Sequence, residues 1–203
     1  MRNMLKTNTL EQKFPLLAVE NGCILSKGAD ITVAFRVKLP ELFTVSATGY
    51  ETLHSAWCKA IKVLPDYSIV LKQDWYCEEK YAPEISETEE MSFLSRSFQR
   101  HFNERPFLNH YCYLILTKTT KERSRQQSTF SSLARGFIVP KEVKDKESAN
   151  QFLDAVSQFE RILNDCGIVK LERLSTAEIT GTENEGGIIE KYLALTQENM
   201  PVL

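Results

Sequence analysis

Between Ile31 and Cys77 the spacing of apolar residues changes period twice, and that alternation restricts the chain to folds in which strands and helices pack as layers. From Ile31 to Leu39 the period is two: Ile31, Val33, Phe35 and Val37 share one face, and Thr32, Arg36 and Lys38 the other. From about residue 48 the period lengthens, with Tyr50, Leu53, Trp57, Ile61 and Leu64 marking one face of a helix that must stop near Pro65. From Tyr67 to Cys77 alternation returns, with Ile69, Leu71, Trp75 and Cys77 on one side.

The same reading extends in both directions. Two short strands, Leu16 to Glu20 and Cys23 to Ser26, precede this unit. Asn21-Gly22 between them is a strong hairpin signal, because both central positions of a type I′ turn need positive φ. Glu78 to Glu90 is acidic, contains Pro83 and reads as an exposed connection. Met91, Leu94, Phe98 and Phe102 then mark a second helix, ended by Pro106. Leu108 to Thr117 is apolar on both faces and predicts a central strand. Residues 118–147 read as a long polar connection, broken by the more apolar FSSLARGFIV.

Ser148 predicts the cap of a helix with Gln151 at the capping-box position and Gly167 at its end. Its apolar stripe is Phe152, Val156, Phe159 and Leu163. Burying these four would contribute about 6 to 12 kcal/mol before ordering costs. A strand from Ile168 to Leu174 follows, then a turn of helix at Ser175-x-x-Glu178 closed by Gly181, then the helical run IIEKYLAL.

With the second helix set aside as an insertion, the order from Ile31 is strand, helix, strand, strand, helix, strand. That is the βαββαβ plan of a ferredoxin-like sandwich, an α+β fold. The expected organisation is one domain over 1–203: an N-terminal β-hairpin (14–30), a core (31–174) with the inserted helix between the second and third core strands, and a C-terminal helical connector (175–203).

Composition bounds the function. The chain of 203 residues carries 25 basic and 27 acidic residues, a net charge of -2, so a nucleic-acid contact would have to be local. The first residues lack an apolar secretory core. The longest apolar run, Tyr111 to Leu116, is far short of the roughly 20 residues that span a bilayer, so a cytoplasmic location is expected. Cys23, Cys58, Cys77, Cys112 and Cys166 form no Cys-x-x-Cys pair, and read as buried free thiols.

No catalytic site is legible. Gly22 and Gly28 are followed by Ala29 and Asp30 where a P-loop needs Lys and Ser or Thr, so two hairpin turns account for them. His54 and His101 lie at the margins of helical apolar faces, and His110 alternates with Tyr111 beside Cys112, so no Cys and His catalytic pair is expected. The acidic clusters at Glu78-Glu79 and Glu87 to Glu90 read as solvated loop. One local charge feature remains: Lys118, Lys121, Arg123 and Arg125, with Arg96, Arg100 and Arg105 on or after the inserted helix. These residues are the candidate interaction surface. No aromatic residues interleave with the 118–125 loop, which disfavours base stacking.

The segments KFPLLAVENGCILSK, LHSAWCKAIKVLPDYSIVLKQDW and MSFLSRSFQRHFNERPFLNHYCYLILTKTTKER resemble the N-terminal region of TraG-type conjugation proteins of bacterial conjugative transposons. The resemblance runs from Met1 to about Leu195. It implies the front end of a large ATPase similar to VirB-type motors of type IV secretion, cut before the motor. No catalytic, cofactor-binding or metal-ligating residue carries over, and ATP and Mg are expected only in that later motor. The implied role is non-catalytic assembly. Expected partners are other secretion components, inner-membrane channel proteins and the chain's own motor domain, at a cytoplasmic site peripheral to the inner membrane. Self-association is left open. The alternative is a nucleic-acid-binding module using the 118–125 loop, with a DNA contact not favoured.

Overall fold

Asn21 and Gly22 adopt φ of 51° and 69°, and the chain reverses there between β1 (Leu16–Glu20) and β2 (Cys23–Ser26). The computed structural model describes residues 14–80, 92–119, 146–183 and 185–194. They form a mixed α+β fold, a six-stranded antiparallel sheet with five helices. The remaining strands are β3 (Ile31–Lys38), β4 (Ser68–Glu79), β5 (Phe107–Lys118) and β6 (Lys170–Arg173). The helices are α1 (Ala47–Val63), α2 (Phe93–Asn103), α3 (Lys146–Asp165), α4 (Thr176–Thr180) and α5 (Ile188–Ala194).

The strand path runs β1-β2-β3-β5-β4. β6 joins β3 on the edge that β2 occupies. Residues Ile31 to Val33 pair with β2, and Phe35 to Lys38 pair with β6. β4 lies at the far side, against β5 from Ser68↔Lys118 to Glu79↔Phe107.

The period-two alternation of β3 sorts its residues between two cores. Val33 and Phe35, with Leu114, Leu116 and Leu171, face α1 and α3, where Phe152, Val156, Phe159 and Leu163 are all 0% exposed. Trp57 meets Phe159 edge-on, with ring centroids 5.8 Å apart. Asn164 ties the end of α3 to β6, accepting from the Leu171 N–H at 2.7 Å and donating to its carbonyl at 3.2 Å. On the opposite face Ala34, Trp75, Tyr113 and Leu174 pack beneath Ile179 of α4 and Ile188 of α5. Ser175 and Glu178 close the capping box that starts α4. The hairpin is seated on the same junction. The Gly22 N–H donates to Thr176 Oγ1, and a Cβ at Gly22 would lie 2.8 Å from the Leu174 carbonyl oxygen.

Several expectations are corrected. In α1 the buried residues are Ala56 and Ala60, flanked by Leu53, Trp57 and Leu64, whereas Tyr50 and Ile61 are about half exposed. α1 lies close to α3, and small side chains permit the approach. Ser148 is not a cap, because α3 already begins at Lys146. Glu78 and Glu79 belong to β4, not to a loop. Cys58 is exposed, unlike buried Cys23 and Cys112. Lys118 is the last residue of β5, and apart from it and Thr119 the 118–147 connection lies outside the described residues up to α3, as do Glu87 to Glu90.

Candidate interaction surface

β5 is longer than β3, and the mismatch creates the most distinctive feature of the molecule. β3 pairs with β5 from Cys112 to Lys118, so among the described residues 107–111 of β5 pair with 75–79 of β4 alone. This two-stranded ribbon extends about 16 Å beyond the sheet, at roughly 3.3 Å per residue. α2 stands at its far end in the chain segment between the two strands.

Side chains on both faces brace the ribbon. On one face Asp74 accepts from Lys72 Nζ and bonds His110 Nε2 at 2.9 Å, while the His110 ring stacks on Tyr76 at 4.7 Å. The Lys72 and His110 bonds hold the Asp74 carboxyl below its ordinary pKa. On the other face Tyr111 donates its hydroxyl to Glu79, and Asn109 Nδ2 donates to Glu79 Oε2 at 2.8 Å. The Glu79 contact and partial burial push the Tyr111 hydroxyl up to about 12. Cys112, on the Asp74 face, is pushed up to about 11, chiefly by burial, which keeps it a thiol at neutral pH. His110 and Cys112 do share a face, but the histidine is committed to Asp74.

α2 forms because Ser92 caps it, accepting from the Ser95 N–H at 3.2 Å, and because Arg100 and His101 sit at the negative end of its dipole. None of its side chains is buried. Phe93 and Leu94 are 81% and 80% exposed, Phe98 60% and Phe102 43%. Phe98 and Phe102 touch each other, ring centroids 4.4 Å apart, and Phe107 and Leu108 at the start of β5 are exposed as well. The apolar stripe of α2 therefore faces outward.

The basic residues are divided between two ends of the fold. Arg96, Arg100 and Arg105 are exposed on or next to α2, with Arg100 Nε 3.6 Å from Glu104 one turn on. Lys118 lies at the opposite end of β5, over 30 Å away at about 3.3 Å per residue. There its Nζ donates to the Asp66 carbonyl and sits 5.6 Å from the centre of the Tyr67 ring. Lys121, Arg123 and Arg125 lie outside the described residues. The ribbon and the exposed aromatic face went unread in the sequence, because an apolar stripe on a helix has the same spacing whether or not anything covers it. The available signal was the length of β5 against that of β3.

A cavity of about 250 Å³ on the α4 face is lined by Arg36, Tyr113, Glu178, Ile188 and Lys191 among others. Within it Arg36 Nη2 lies 3.2 Å from Glu178, which also accepts from the Ser175 N–H. Among the described residues no group of three or more His, Cys, Asp or Glu could hold a metal ion, and no helix is long and apolar enough to cross a membrane.

Residues 3–55 match a family model described as a domain of unknown function, B. theta gene description (DUF3875). The match takes in β1 to β3 and the first half of α1. No curated protein matches the chain.

Proposed function

We propose that this chain is a non-catalytic assembly domain that docks a conjugative-transfer ATPase of the type IV secretion kind on its transfer machinery, with α2 as the docking element. The exposed apolar stripe of α2 carries the reading. Leu94, Phe98 and Phe102, spaced four residues apart on a projecting helix, suit the groove of a protein partner, and Arg96 and Arg100 add charge steering. Relatives suggested by the resemblance carry ATP and Mg in a separate motor, so this chain contributes contact rather than chemistry. The strand order β6-β3-β5-β4, with α1 and α3 sharing one face, supports a ferredoxin-like βαββαβ sandwich as its core.

Reversing Arg96→Glu and Arg100→Glu together tests the role in the full-length protein. The expected result is reduced conjugation frequency and weaker recovery with the transfer complex, with ATP hydrolysis by the isolated motor unchanged and folding little affected. Unchanged conjugation would discard α2 as the interface. Loss of single-stranded DNA binding with partners still recovered would favour a nucleic-acid role instead.

A further inference from the structure

The outer edge of β4 is long, regular and apolar, unlike the other edges of the sheet. β1 has five residues with an irregular register between Leu16 and Ala18, and β6 has four. Short or bulged edges of that kind resist pairing with a foreign strand. β4 has twelve residues and holds an unbroken register with β5 throughout. Ile69 is 53% exposed, Val70 37% and Leu71 49%. Among the described residues β4 pairs with β5 alone.

We propose that β4 pairs antiparallel with β4 of a second copy of this chain, about a two-fold axis at Gln73, joining two sheets into one. The strand carries a self-complementary pattern about that point. Lys72 falls opposite the second copy's Asp74, and Asp74 opposite its Lys72, so the charges that repel an arbitrary strand attract a copy in this register. Leu71 falls opposite Trp75, Val70 opposite Tyr76, and Ile69 opposite Cys77. In antiparallel pairing, opposed residues share a face. Ile69, Leu71, Trp75 and Cys77 of both copies thus form one apolar stripe on the face that carries Trp75, while Lys72 and Asp74 meet on the other. A slip by one residue sets Lys72 against Gln73 or Asp74 against Gln73 and forfeits both charge pairs. This pairing does not use α2 and is independent of the docking role proposed for it.

Sedimentation equilibrium on the whole chain, with folding checked by circular dichroism, tests the pairing. Wild type is expected to dimerise. Lys72→Asp and Asp74→Lys, each alone, oppose like charges twice across the axis and are expected to weaken self-association by at least about tenfold. Mixing the two variants restores both charge pairs, and dimers containing one of each are expected. If either reversal unfolds the chain, Leu71→Lys, at an exposed position facing Trp75 of the other copy, replaces it and is expected to give a monomer. A monomeric wild type, dimerisation that survives these substitutions, or failure of the mixed variants to associate would overturn the proposal. Dimerisation lost on Phe98→Glu but retained in the β4 variants would place self-association on α2 instead.

Discussion

At the scale of single residues, two raised pKa values, at Tyr111 in the ribbon and at Cys112 beside it, give β5 a distinct alkaline signature. Tyr111 moves from 10.0 to about 12, led by the hydroxyl bond to Glu79, and Cys112 from 9.0 to about 11, led by burial. In both, the folded chain holds the proton more tightly than the unfolded chain. Their contribution to stability is therefore complete below the unfolded values and is lost as pH rises through the folded ones. Thermal melts at stepped pH are expected to show Tm falling as pH rises from 9.0 toward about 12. Tyr111→Phe should fall less steeply between 10.0 and about 12 while keeping the earlier, Cys112-linked loss. Equal steepness in the two proteins over that upper interval would show that the Tyr111–Glu79 bond does not hold the proton.

At the scale of elements, α2 and α3 carry apolar stripes of the same spacing and opposite fate. Phe159 on α3 is 0% exposed and touches Trp57, whereas Phe98 on α2 is 60% exposed. Phe159→Ala removes buried surface and leaves a cavity, and is expected to cost about 3 to 5 kcal/mol in urea unfolding. Phe98→Ala should stay within about 0.5 kcal/mol of wild type. A large cost at Phe98 would mean that its face is covered in the free protein, and would remove the ground for the docking role of α2. The short elements are held differently. A Cβ at Gly187 would lie 2.2 Å from the Gly181 nitrogen, so the approach to α5 depends on a glycine, and that approach sets Ile188 into the second core.

At the scale of the whole molecule, protection should follow the number of flanking strands. β3 has neighbours on both sides and lies between two cores, so amide hydrogen exchange is expected to be slowest there and in residues 112–116 of β5. Residues 107–111, which among the described residues pair with 75–79 alone, should exchange faster. Uniform rates along β5 would mean that the ribbon is covered by something more. The bounds of β1, β2 and β3, the stripe of α3, and the start and stop of α4 were legible in the sequence, because turn chemistry, capping and periodicity are local: Asn21-Gly22, Ser175 with Glu178, Phe152 to Leu163. The margins of α1 were misread, because Ala56 and Ala60 are chosen by the closeness of α3 rather than by their own hydrophobicity. The surface was the least legible part. The sequence by itself determined where most strands and helices lie and the apolar stripes of β3 and α3. Only the tertiary structure decided that β5 outruns β3, that the arginines near α2 and Lys118 lie at opposite ends of one strand, and that the apolar side of α2 joins neither core of the described residues. Each of these depends on residues far apart in the chain, and periodicity carries no information about what a face is packed against.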